Sequence, residues 1–105
     1  MRYFSDEYII DDMKEQLLNG ANSLVQICKR ANKEQSIRIS RKADGMAEAR
    51  NIFDTVVANE PQNYRSEFRK RVQARTKTVA PSNAENIGYI QGLSLGLSYL
   101  SDYDV

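Results

Sequence analysis

Six cations crowd the segment 65–77: Arg65, Arg69, Lys70, Arg71, Arg75 and Lys77, with Glu67 as its only acid. Tyr64 and Phe68 stand beside them. Guanidinium forks grip phosphate oxygens two at a time, and a ring or a guanidinium plane can stack on a base. Tyr64, Arg65, Phe68, Arg69, Lys70, Arg71 and Arg75 therefore form a candidate phosphate-binding surface, for nucleic acid or for a small phosphate-bearing ligand at a subunit junction. An acidic helix, from this protein or another, would satisfy the same cations. The net charge is only +1 and no recognised nucleic-acid-binding motif is present, so phosphate binding is the second reading. Lys29, Arg30, Lys33, Arg38, Arg41 and Lys42 form another basic block. Its first three members suit the negative end of a helix dipole, which is the simpler explanation for them.

The remaining reactive side chains are sparse. The chain has no histidine, which removes the usual general base, the usual imidazole ligand and the His-activated nucleophiles. The single cysteine, Cys28, allows neither an intramolecular disulfide nor a zinc site of cysteine type. It sits beside Ile27 and reads as a small buried hydrophobe rather than a nucleophile. Asp6-Glu7 and Asp11-Asp12 are adjacent acids, and neighbours in sequence do not face one another on a helix. The expectation is a protein that is not an enzyme and has no metal and no cofactor. One cysteine suits a reducing, cytoplasmic setting. Residues 1–7 lack the apolar core of a signal peptide, and the apolar run 87–100 is shorter than the roughly 20 residues that cross a bilayer.

The elements that must position these groups read as helices. Ser5 can cap a first helix that opens on Asp6 and Glu7. Tyr3, Ile10, Leu17, Leu24 and Ala31 recur every seven residues, with Met13, Gly20 and Ile27 as a second row. The unbroken stripe predicts one helix over 5–35, running through Asn19-Gly20. Ile37 and Ile39 alternate with polar residues across 36–42, a stretch too short for a strand, read as a connector or one more helical turn. A second helix over 43–58 has Met46, Ala49, Ile52, Phe53, Val56 and Val57 as its apolar face. Asn59 as cap, Pro61 in the first turn and Gln62 reaching back start a third helix over 60–77. Ser82-Asn83-Ala84-Glu85 reads as a capping box for a fourth over 83–101, followed by a short acidic tail, 102–105. Together these give an all-α fold, a single-domain bundle of about four helices over 1–105. Charge alternates in blocks along it: −3, +5, −3, +5 and −3 over 1–28, 29–42, 43–64, 65–77 and 78–105. Such blocks can pair across antiparallel helices or between subunits, though a solvated mixed-charge surface explains them as well.

The fourth helix carries Gly88, Gly92 and Gly96 at four-residue spacing. Three interior glycines cost about 3 kcal/mol of helix propensity, which a close backbone approach can offset. Tyr89, Leu95 and Tyr99 flank this groove, while Ile87, Ile90, Leu93, Leu97 and Leu100 make the helix apolar nearly all round. A small domain has few layers in which to bury such a helix. The expectation is a subunit interface built from Gly88, Gly92, Gly96, Tyr89, Leu95 and Tyr99, in a homo-oligomer. The functional reading is a non-enzymatic helical interaction protein that binds an unidentified protein partner: an adaptor, an inhibitor or a small structural subunit. Helical chains of this size are frequent among viral accessory proteins of phages. Nucleic-acid or nucleotide-phosphate binding by 65–77 is the alternative.

Overall fold

The computed structural model describes residues 5–103, and these fold into four α-helices. Helix α1 spans Asp6–Arg30, α2 Lys33–Asn59, α3 Tyr64–Lys77 and α4 Ala84–Ser101, with a 3-10 turn at Pro61–Asn63 leading into α3. Tyr3, Asp104 and Val105, assigned above to the first stripe and to the tail, lie outside the described residues.

Ser5 caps α1 as its sequence suggests, its Oγ accepting from the Tyr8 amide at 3.2 Å. Gly20 does not interrupt the helix. The helix stops at Arg30 rather than at residue 35, because Asn32 caps the next one: its Oδ1 accepts from the Gln35 amide at 2.8 Å. Helix α2 therefore starts ten residues earlier than expected, and 36–42 is helical, with Ile37 facing solvent. At the far end α2 continues through Asn59, whose side chain donates back to the Thr55 carbonyl at 3.0 Å instead of capping α3. Asn83, not Ser82, caps α4, its Oδ1 accepting from the Asn86 amide at 2.8 Å.

The chain runs up and down. Helices α1 and α2 form an antiparallel hairpin, closed where the Cys28 thiol donates to the Ser36 carbonyl at 3.3 Å. Helix α3 returns antiparallel to α2, and α4 lies parallel to it: Gly88 meets Arg38, Gly92 meets Lys42 and Gly96 meets Ala49. In an ordinary up-down bundle α2 and α4 would be diagonal partners. Here they are in direct contact, with α1 and α3 each packed on the pair and joined to one another through the Tyr64–Asp6 hydrogen bond.

Glycine makes that contact possible. A Cβ on Gly92 would fall on the Lys42 carbonyl oxygen, one on Gly45 would fall on the Tyr89 carbonyl, and one on Gly88 would stand 2.5 Å from the Arg38 carbonyl. A Cβ on Gly96 would be 2.7 Å from Ala49 Cβ and 3.1 Å from Leu17 Cδ2. Backbone carbonyls of one helix thus rest on the bare Cα positions of the other, an arrangement that also admits Cα–H···O contacts. The glycine face is therefore filled by the chain's own α2 and is closed to a second subunit. Tyr89 is buried with it, and Leu95 and Tyr99 are half-buried against the core. The predicted interface at Gly88, Gly92, Gly96, Tyr89, Leu95 and Tyr99 is thereby corrected to an internal seam. Nor is α4 apolar all round: Ile87, Gln91, Ser94, Ser98 and Ser101 form one exposed, mostly polar stripe.

The core gathers around α2. Ile9, Met13 and Leu17 come from α1, and Met46, Ala49, Phe53 and Val56 from α2. Tyr64, Phe68 and Val72 come from α3, and Leu93 and Leu100 from α4. Phe53 is the hinge of an aromatic cluster, meeting Tyr64 edge-on at 6.1 Å and Phe68 edge-on at 5.1 Å between ring centroids. This T-shaped geometry brings a positive ring edge to a negative ring face.

Candidate functional site

Helix α3 is the basic element, and its packing decides which of its side chains can meet a ligand. Tyr64 is 3% exposed and Phe68 fully buried, so neither ring is available to stack on a base. Their apolar row with Val72 fixes the rotation of the helix. The opposite face carries Ser66, Arg69, Lys70, Gln73 and Lys77, all exposed. These side chains line a shallow open groove of about 360 Å³.

The six cations split into two groups. Arg71 pairs with Glu67 at 3.6 Å within α3, and Arg75 with Glu48 of α2 at 3.6 Å. Arg75 also donates to Thr78 Oγ1 at 2.8 Å, and Arg65 Nε donates to the Tyr64 hydroxyl at 3.3 Å. Arg69, Lys70 and Lys77 have no acidic partner among the described residues. Of the seven residues proposed as a phosphate surface, Tyr64 and Phe68 thus belong to the core, and Arg65, Arg71 and Arg75 are held by neighbours. Arg69 and Lys70 remain free, joined by Lys77.

Tyr89 is a further meeting point of charge. The Arg41 guanidinium lies 4.9 Å from its ring centroid and that of Arg75 lies 5.5 Å away, so two helices contribute a cation to one buried ring. Arg41 is neutralised by Asp44 at 2.7 Å and Arg75 by Glu48, which makes this a brace between α2, α3 and α4. Among ion pairs between described residues only Arg75–Glu48 joins two helices, so the alternating charge blocks are chiefly solvated surface.

The acids and the thiol with chemical potential are engaged as well. Tyr103 and Gln16 both donate to Asp12 Oδ2, the latter at 3.0 Å, and Gln16 also reaches the Tyr103 oxygen at 2.6 Å. Tyr103 belongs to the stretch read as a short acidic tail, yet it is a core residue that ties the end of α4 to α1. An aromatic two residues past a helix end was the available signal. The Tyr64 hydroxyl donates to Asp6 Oδ1 at 3.1 Å. Burial, and then the Asp12 carboxylate, push the Tyr103 phenol well above its ordinary 10.0, and burial chiefly raises Tyr64 as well. A phenol kept neutral by the fold stabilises it below the unfolded-state value and loses that contribution as pH rises past it. The melting temperature is therefore expected to fall above pH 10.0, with Tyr103→Phe showing a shallower decline in a pH series of thermal melts.

One other surface is distinctive. Leu18, Ala21, Asn22 and Val25 on α1 and Ala43, Asp44, Ala47, Arg50 and Asn51 on α2 line an open groove of about 270 Å³. Leu18 is 38% and Val25 44% exposed, a ridge along α1 that faces Ala43 and Ala47 on α2, with Asp44, Arg50 and Asn51 around them. At its edge Arg50 Nε and Asp54 Oδ1 are buried without a hydrogen-bond partner in the single chain. Sequence reasoning missed this face because Leu18 and Val25 fall outside the seven-residue stripes.

Among the described residues no group of three or more acidic or cysteine side chains could hold a metal ion, and no helix is long and apolar enough to cross a membrane. Compared with protein-family models, with curated proteins and with solved structures, the chain finds no match in any of the three.

Proposed function

We propose that this chain is a non-enzymatic helical interaction protein that works by stoichiometric binding as a homo-oligomer: an adaptor, an inhibitor or a small structural subunit, of the kind phages use as accessory proteins. The observation that carries the reading is the groove between α1 and α2, where Leu18 and Val25 stand exposed over Ala43 and Ala47. The occupant it suits is a second copy of the same chain. Asp44 and Arg50 lie on one face of α2, placed symmetrically about Ala47. A twofold axis through Ala47, with the two α2 helices antiparallel, sets Arg50 of each copy against Asp44 of the other, as a self-complementary interface requires. Ala47 at the axis lets the helices approach, and the leucine and valine ridges of α1 close over the sides. Arg50, which has no ion-pair partner among the described residues, gains one.

The test is the solution mass of interface variants. Ala47→Lys, at an exposed position that keeps helix propensity, is expected to yield monomers. Arg50→Asp is expected to weaken association, and the charge swap Asp44→Arg with Arg50→Asp to restore it. Wild type that is already monomeric throughout a concentration series rejects the proposal. Sedimentation velocity with a circular-dichroism check of folding separates loss of assembly from loss of fold.

A further inference from the structure

We propose that the outer face of α3 is a docking surface for duplex nucleic acid, which it engages through the phosphodiester backbone alone. The inference is independent of self-association, because the outer-face residues Ser66, Arg69, Lys70, Gln73 and Lys77 are not among those that line the α1–α2 groove.

The segment 65–77 carries a charge of +5 in a chain of net charge +1, as much as the other basic block, 29–42, but gathered on one helix. Core packing of Tyr64, Phe68 and Val72 turns Arg69, Lys70 and Lys77 outward, and none has an acidic partner among the described residues. Their neighbours on that face, Ser66 and Gln73, are neutral hydrogen-bonding groups suited to phosphate oxygens. From Arg69 to Lys77 the face is about 12 Å long, at 1.5 Å per residue. Duplex DNA presents one phosphate per ~3.4 Å of axis on each strand, so that length spans about three phosphates of the strand it faces.

Three features select a duplex over other polyanions. The face has no exposed aromatic ring, since Tyr64 and Phe68 are interior, which removes the stacking on which single-strand binders depend. Each contact releases more counterion from a duplex than from a single strand, about 0.9 against about 0.7 per phosphate. The face is open, lined by α3 alone, and encloses no compact nucleotide. An acidic protein surface would meet the same cations, but it carries its charges more sparsely than a duplex does.

The measurement is fluorescence anisotropy with the full-length chain and a short labelled DNA duplex, beside either of its single strands. Three backbone contacts predict a slope of log affinity on log salt near −2.7, so affinity falls about 40-fold between about 50 and about 200 mM salt. The duplex is expected to bind more tightly than the single strand. The variant carrying Arg69→Gln, Lys70→Gln and Lys77→Gln is expected to lose most binding while its helical spectrum and melting temperature stay as in wild type, since all three side chains are solvent-facing. Four results overturn the proposal: no binding at low salt, tighter binding of the single strand, undiminished binding by the folded triple variant, or displacement of the duplex by poly-glutamate as readily as by unlabelled duplex at equal charge. The last would assign the face to an acidic protein instead.

Discussion

Gly92→Ala is expected to destabilise the fold by about 2–3 kcal/mol, the usual cost of forcing an extra group into a closed contact. For a domain of this size that is a drop of roughly 10–20 °C in melting temperature. The sign is the informative part. At an exposed helix position the same change would stabilise by about 1 kcal/mol, since alanine is the better helix former. At Gly92 the new methyl collides with the Lys42 carbonyl and sits close to the Met46 amide, and backbone cannot step aside as a side chain can. The α2–α4 seam would have to open along its length, because Gly45 and Gly88 are held by carbonyls in the same way. Gly92→Leu should leave no stable fold. Gly20 supplies the control: its neighbours are Met46 Sδ and the Tyr99 hydroxyl, ends of side chains that can rotate away. Gly20→Ala is expected to leave stability within about 0.5 kcal/mol of wild type, the small clash offset by better propensity. Thermal melts of the three variants, followed by circular dichroism, check the ordering.

Phe53→Ala should cost about 3–5 kcal/mol, the range for deleting a fully buried ring. Phe53 has no exposed surface, and it joins α2 to both aromatic rings of α3. Its loss leaves a cavity that α3 cannot fill by tilting, because Arg75–Glu48 and the stacked Tyr89 pin the other end of that helix. Removing Phe68 as well should cost less than the sum of the two single changes. The edge-on contact contributes about 0.5–1.5 kcal/mol beyond the area it buries. Chemical denaturation of the two single variants and the double variant measures that coupling. Additive losses would place Phe53 and Phe68 in separate clusters.

The helical class and the core were legible because they rest on periodicity. Met46, Ala49, Phe53 and Val56 were readable as one face of a helix, and all are buried. Helix ends were less legible wherever two caps compete. Ile37 and Ile39 looked like a change of pattern, but α2 runs through both, opened by Asn32, a residue read as part of the first helix. At residues 82–83 serine and asparagine are both good caps, and only the packing of α4 on α2 decides between them. The glycine spacing correctly announced a close backbone approach. Its partner was not legible, because the carbonyls that Gly88 and Gly92 rest on, those of Arg38 and Lys42, lie in the stretch 36–42 that was read as a connector or one more turn. The basic residues were visible as a cluster. That two flanking rings belong to the core, and that three of the arginines are already held, follows from tertiary contacts the linear pattern does not encode.

The glycine seam closes α4 on the chain's own α2, so the proposed self-association uses another face, the α1–α2 groove. The most direct test is the solution mass by light scattering of wild type and Ala47→Lys, side by side and at equal concentration. A wild-type mass of twice the 12.0 kDa of the chain, falling to a single chain in the variant, is the expected result. A single-chain mass for wild type, or a variant that still assembles, would contradict it.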